Sequence, residues 1–246
     1  MQEQPRTVWL QLLLRPYENT ATLALGQLAG SLHELEVMHT VLRAQFPSVR
    51  QHALRQLTAD HFQQNRALLP LLLLSGYDDV YQLAKDYLYT AQADYPALAA
   101  ALLDGLLAAD ENLRAVLLPR LQWLLTQPLH AQVALAQLQA LLAHPEAGVQ
   151  HLGAILLADS DYAFEELGDC FALMAASAFE EVRAGAVALL AKLDDAGKRR
   201  YLDLLCNALT DTAAYPQQTA LQVLREVADP GLQQAVFAHI LPVLFR

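Results

Sequence analysis

Five of the chain's nine tyrosines, Tyr77, Tyr81, Tyr87, Tyr89 and Tyr95, fall in one short stretch, with Lys85, one of only three lysines, among them. Tyrosine offers a large rigid contact area at low entropy cost, so exposed tyrosines favour recognition over bond-making chemistry. If Val80, Ala84 and Leu88 face a core, helical geometry puts Tyr87 with them and Tyr77 near the margin. Tyr81 then flanks the stripe and Tyr89 points roughly opposite it. The alternative, that these rings pack between neighbouring elements, stays open.

A second group is acidic. Asp159, Asp161, Glu165, Glu166 and Asp169 are followed by Glu180 and Glu181 before the first basic residue, Arg183. Such a run can receive a basic partner. It can equally place negative charge at helix starts, where the helix dipole favours it. Lys198, Arg199 and Arg200 stand nearby as a solvated helix start or a local counter-charge.

Residues for catalysis or metal binding are harder to assemble. His33-Glu34 is a lone pair, and His144 and His151 flank a turn without a third ligand. The chain lacks a Gly-x-Ser-x-Gly elbow, a phosphate-binding glycine loop and a His-Glu-x-x-His helix. Cys170 and Cys206 make no disulfide or metal framework and are expected to be reduced and buried. The expectation is no catalytic residue, no metal and no cofactor.

The elements that position these residues repeat. An aliphatic residue, a small residue four later and a leucine four after that line one helical face. The pattern occurs as Val49, Ala53, Leu57, as Val80, Ala84, Leu88, as Val149, Gly153, Leu157 and as Val182, Ala186, Leu190. Weaker copies begin at Tyr17, Leu113 and Pro216. The starts, 17, 49, 80, 113, 149, 182 and 216, step by 32, 31, 33, 36, 33 and 34 residues. Between them lie second apolar helices at residues 32–44, 65–74, 96–108, 129–143, 164–177 and 198–209. Prolines at 47, 96, 128, 145, 216 and 230 mark breaks, since proline suits a first helical turn and disfavours helix before it.

The Val-Arg-x-x-Ala pattern after an acidic or proline-containing turn, at Val49-Arg50 and Val182-Arg183, resembles HEAT repeats and the shorter HEAT-like repeats of bacterial proteins. The resemblance covers nearly the whole chain, with departures at Tyr81 and Gln150, where arginine is replaced. It implies an all-α fold: one domain over residues 1–246, with about seven helical pairs stacked as a right-handed α-solenoid. It also implies that Arg50, Arg114 and Arg183 serve intramolecular ion pairs or hydrogen bonds. HEAT-repeat deoxyhypusine hydroxylase uses several His-Glu pairs, and this chain has one. Two further HEAT-like families, alkylpurine DNA glycosylases and phycobilin lyase-like chaperones, supply the alternative functions.

Composition weighs among these. The chain is 54% hydrophobic, rich in leucine and alanine and poor in β-branched residues, as helices prefer. A net charge of −10 repels phosphate backbones and anionic lipid. The apolar run at residues 68–74, interrupted by Pro70, is far short of the roughly 20 residues a membrane span needs. The start, with Glu3 and no basic residue before Arg6, makes a poor secretory leader. The expected protein is cytoplasmic and non-catalytic, and binds another protein, a basic one fitting best, through a concave face. Its contact residues are expected among Tyr77, Tyr81, Lys85, Tyr89, Arg114, Glu165 and Glu166.

Overall fold

The computed structural model describes residues 5–88, 94–127, 129 and 133–244. It is all-helical: among the described residues there is no strand. The chain divides into two compact units, with the boundary after Leu121.

In the N-terminal unit the helices are α1 (Arg6–Leu13), α2 (Glu18–Leu28), α3 (Leu35–Leu42), α4 (Pro47–Arg55), α5 (Ala59–Gln64), α6 (Leu68–Leu73), α7 (Asp78–Tyr87) and α8 (Tyr95–Ala108). The helix α9 (Glu111–Thr126) carries the boundary and has Pro119 inside it. Here α2, α4 and α7 pack side by side, while α1 packs on α3 and α6 on α8. The two rows join through α1 with α2, α3 with α4 and α6 with α7. In the C-terminal unit follow α10 (Leu135–Leu142), α11 (Ala147–Ala158), α12 (Gly168–Ala175), α13 (Glu180–Leu189), α14 (Asp195–Arg200), α15 (Leu202–Leu209), α16 (Ala214–Arg225) and α17 (Pro230–Leu244). One row is α11, α13 and α16; the other pairs α10 with α12 and α15 with α17.

The recurrent apolar triads build the contact between rows. Val49, Val80, Val149 and Val182, with the alanines at 53, 84 and 186, are each at most 1% exposed. Leu113 and Leu224 are only half-buried. Tyr17 departs furthest, at 66% exposure. It occupies the N-cap of α2 with extended backbone, so it lies outside the helical stripe. Small residues permit the close approaches: a Cβ on Gly153 of α11 would meet Leu141 Cβ of α10 at 2.9 Å.

A hydrogen bond between a turn and the helix after it recurs with the repeat. The turn carbonyl of Ala44 accepts from Arg50 Nη1 (2.8 Å), His144 from Gln150 Nε2 (2.6 Å), Ser177 from Arg183 Nη1 (2.9 Å) and Asp211 from Gln217 Nε2 (2.5 Å). Each donor stands six residues after its acceptor. Side chains on a helix lean toward its N-terminus, so a long donor one turn in reaches back to a carbonyl the preceding helix leaves unpaired. Gln233 Nε2 closes the α16–α17 turn on Val227 in the same way (3.0 Å). The turn residue's own side chain often accepts the backbone N–H two residues on, as Ser177 does from Phe179 (3.1 Å) and Asp211 from Ala213 (2.8 Å).

Neighbouring repeats are tied through the same position. Arg183 Nε and Nη2 donate to both carboxylate oxygens of Asp211 (2.7 and 2.9 Å). Ser177 Oγ donates to Gln150 Oε1 at 2.6 Å. Arg50 Nη2 lies 3.6 Å from Asp79 Oδ1.

Candidate functional site

The tyrosine-rich stretch sits on α7 in the N-terminal unit, against arginines from α4 and α9. Tyr81 holds the position that carries arginine or glutamine in five of the other six repeats, and a phenol cannot supply the back-reaching guanidinium or amide donor. Arg120 of α9 takes over: its Nη1 donates to the Ser75 carbonyl at 2.8 Å and its Nη2 pairs with Asp78. Its guanidinium carbon stands 4.7 Å from the centre of the Tyr81 ring. Sequence reasoning passed over Arg120 for this role, because its acceptor is 45 residues away. The visible signal was the missing arginine at Tyr81.

Tyr81 is therefore buried, at 5% exposure, and is a packing residue rather than an accessible contact. Burial raises its phenol pKa, opposed by the charge of Arg120. Lys85 Nζ approaches the same ring at 5.9 Å. Tyr87 is half-buried and donates to the carbonyls of Leu54 (2.9 Å) and Leu57 (3.3 Å), stitching α7 to α4; its ring lies 4.9 Å from Phe62. Tyr89 lies outside the described residues.

Tyr77 is different. It is 43% exposed, and its ring centre lies 4.0 Å from the guanidinium carbon of Arg50, which is itself only 5% exposed. The arginine is held by the Ala44 carbonyl, so the exposed tyrosine ring rests on an anchored cation. Beside it, the side chain of Asp78 is 90% exposed.

The remaining expected contact residues have local partners of their own. Arg114 Nη1 donates to the Leu107 carbonyl at 3.3 Å, which is the intramolecular role its repeat position implies. Glu165 and Glu166 belong to the C-terminal unit. Glu166 Oε2 accepts the Ala163 N–H (3.1 Å) at the start of a short 3₁₀ turn, and Glu165 faces Arg200 at 3.4 Å, both 73% exposed. The acidic run thus includes helix-start charge with local counter-charge.

The histidine and cysteine candidates also resolve into local roles. Glu34 of the His33-Glu34 pair accepts from Arg6 Nη1 at 2.6 Å, which with Ser31 lowers its pKa. His33 stacks parallel to His61, with centroids 5.8 Å apart, and His144 Nδ1 accepts the Glu146 N–H (3.2 Å). Cys170 and Cys206 are free and buried, and burial raises both thiol pKa values. Among the described residues no three His, Cys, Asp or Glu side chains group as metal ligands, and no helix is long and apolar enough to cross a membrane. No known family model matches the chain, and no curated protein matches it.

Proposed function

We propose that the protein is a non-catalytic, cytoplasmic interaction module built from HEAT-like repeats, stacked as a right-handed α-solenoid, that binds another protein. The repeat reading is supported by the turn bond six residues long, which recurs at four of the expected starts. The side-by-side rows within each unit agree with it.

The observation that carries the binding reading is Tyr77: a half-exposed aromatic clamped over a buried guanidinium. Binding hot spots are enriched in tyrosine and arginine held rigid before the partner arrives. Arg50, Arg114, Arg120 and Arg183 all donate to internal carbonyls. That leaves fewer guanidinium donors free for a phosphate backbone on a chain of net charge −10. The test is affinity capture from host lysate with wild type and Tyr77→Ala side by side, with duplex DNA titrated separately at modest salt. A stoichiometric protein held by wild type and lost by the variant supports the reading. Saturable DNA binding, or recovery of nucleic acid alone, overturns it.

A further inference from the structure

We propose that the N-terminal unit contains a binding cleft for a small molecule with an apolar body and a single carboxylate. The cleft, about 580 Å³, opens between α5, α6 and α8. That volume falls in the range of small-ligand sites, roughly 300–1,000 Å³. Phe62, Leu69, Pro70 and Leu98 are buried at its floor, so an occupant's apolar body would be removed from water there.

The polar groups at the rim choose the ligand's charge. Asp94 is committed to its own helix: as the N-cap of α8 its Oδ1 accepts the Ala97 N–H at 3.3 Å. Arg66 lines the cleft and is exposed, with no ion pair or hydrogen bond to its side chain among the described residues. Gln63, near the end of α5 and three residues before it, brings amide donors to the same cleft. Asp94 keeps its negative charge, but the free hydrogen-bond donors facing the cleft are those of Gln63 and Arg66, and Arg66 carries a planar fork suited to bidentate carboxylate binding. The Arg66 fork and the Gln63 amide select a carboxylate as acceptor, and the apolar floor selects one with a hydrocarbon body over a bare inorganic ion.

This proposal is independent of the protein-binding reading, since it uses neither Tyr77 nor a macromolecular partner. Octanoate and octanol are titrated by calorimetry into the full chain, wild type and Arg66→Gln, with Tm recorded for both proteins. Ala101→Trp, which fills the cleft, is a second variant. The expected result is saturable one-to-one binding of octanoate, weakened about fivefold by Arg66→Gln at unchanged Tm, and abolished by Ala101→Trp. A parallel titration with acetyl-Leu-Leu-Phe, as free acid and as amide, tells a free amphiphile from a chain terminus as the source of the carboxylate. The proposal is overturned if neither carboxylate saturates, if octanol binds as well as octanoate, or if Arg66→Gln binds like wild type. Because Arg66 is exposed, that variant keeps the test decisive even if Ala101→Trp fails to fold.

Discussion

At the scale of single residues, two tyrosines four positions apart on and before α7 have opposite duties. Tyr81 is buried beneath Arg120, so Tyr81→Ala removes a core ring and should cost about 3–5 kcal/mol in chemical denaturation. Tyr77→Ala removes an exposed ring stacked on a cation and should cost no more than about 1 kcal/mol. Equal costs would mean the two rings are not so divided. The Arg183–Asp211 pair makes a pH-dependent prediction. The hydrogen bonds from Arg183 hold the Asp211 carboxyl below the usual carboxylate range. Its contribution to stability is therefore present above the unfolded carboxylate pKa, near 4, and is lost as pH falls through the lower folded value. Asp211→Asn should lose about 1.5–3 kcal/mol at neutral pH and show a shallower fall in denaturation midpoint on acidification. An acid profile parallel to wild type would contradict the pairing.

At the scale of elements, helix spacing and burial were legible in the residues because they follow from period. The triads beginning at Val49, Val80, Val149 and Val182 face inward wherever an aliphatic, a small residue and a leucine recur at helical spacing. The exception at Tyr17 arose because a cap residue shares the spacing but not the helix. The clamp is only half legible. Arginine at positions 50 and 183 announces an internal partner, but Gln150 reads as a departure and Gln217 carries no signal of its own, although an amide can donate to the same carbonyl. Arg120 could not be found by spacing, since its acceptor comes from a distant turn. Nor could spacing tell which tyrosine stays in solvent, since that depends on which arginine stacks where. Close packing supplies a paired prediction. Gly153→Val must displace the Leu141 Cβ region and should destabilise by about 1–3 kcal/mol. Gly26→Ala, in α2 with open space around the new methyl, should stabilise by about 0.5–1 kcal/mol. Thermal melts showing the same sign for both would argue against the close α10–α11 contact.

At the scale of the whole molecule, the two units are each built from short helices whose apolar faces are covered by neighbours. The C-terminal unit carries its own probe. Cys170 and Cys206 are at most 1% exposed and burial raises their thiol pKa values, so both should resist alkylation at neutral pH until the protein opens. Labelling that tracks the unfolding transition is the expected outcome; fast labelling of the native protein would contradict the packing around α12 and α15. Functional expectations were the least legible level, because a partner's identity is not encoded in a helical period. What carries over from sequence to structure is a narrower surface: among the described aromatic candidates on the α7 stretch, Tyr77 is the one both exposed and stacked on a buried cation. The most direct test of the central claim is calorimetric titration of the captured partner into wild type and Tyr77→Ala. A Kd raised by about thirtyfold or more, the equivalent of roughly 2 kcal/mol at a hot spot, with Tm nearly unchanged, is the predicted result. An unchanged Kd in a folded variant would contradict the account.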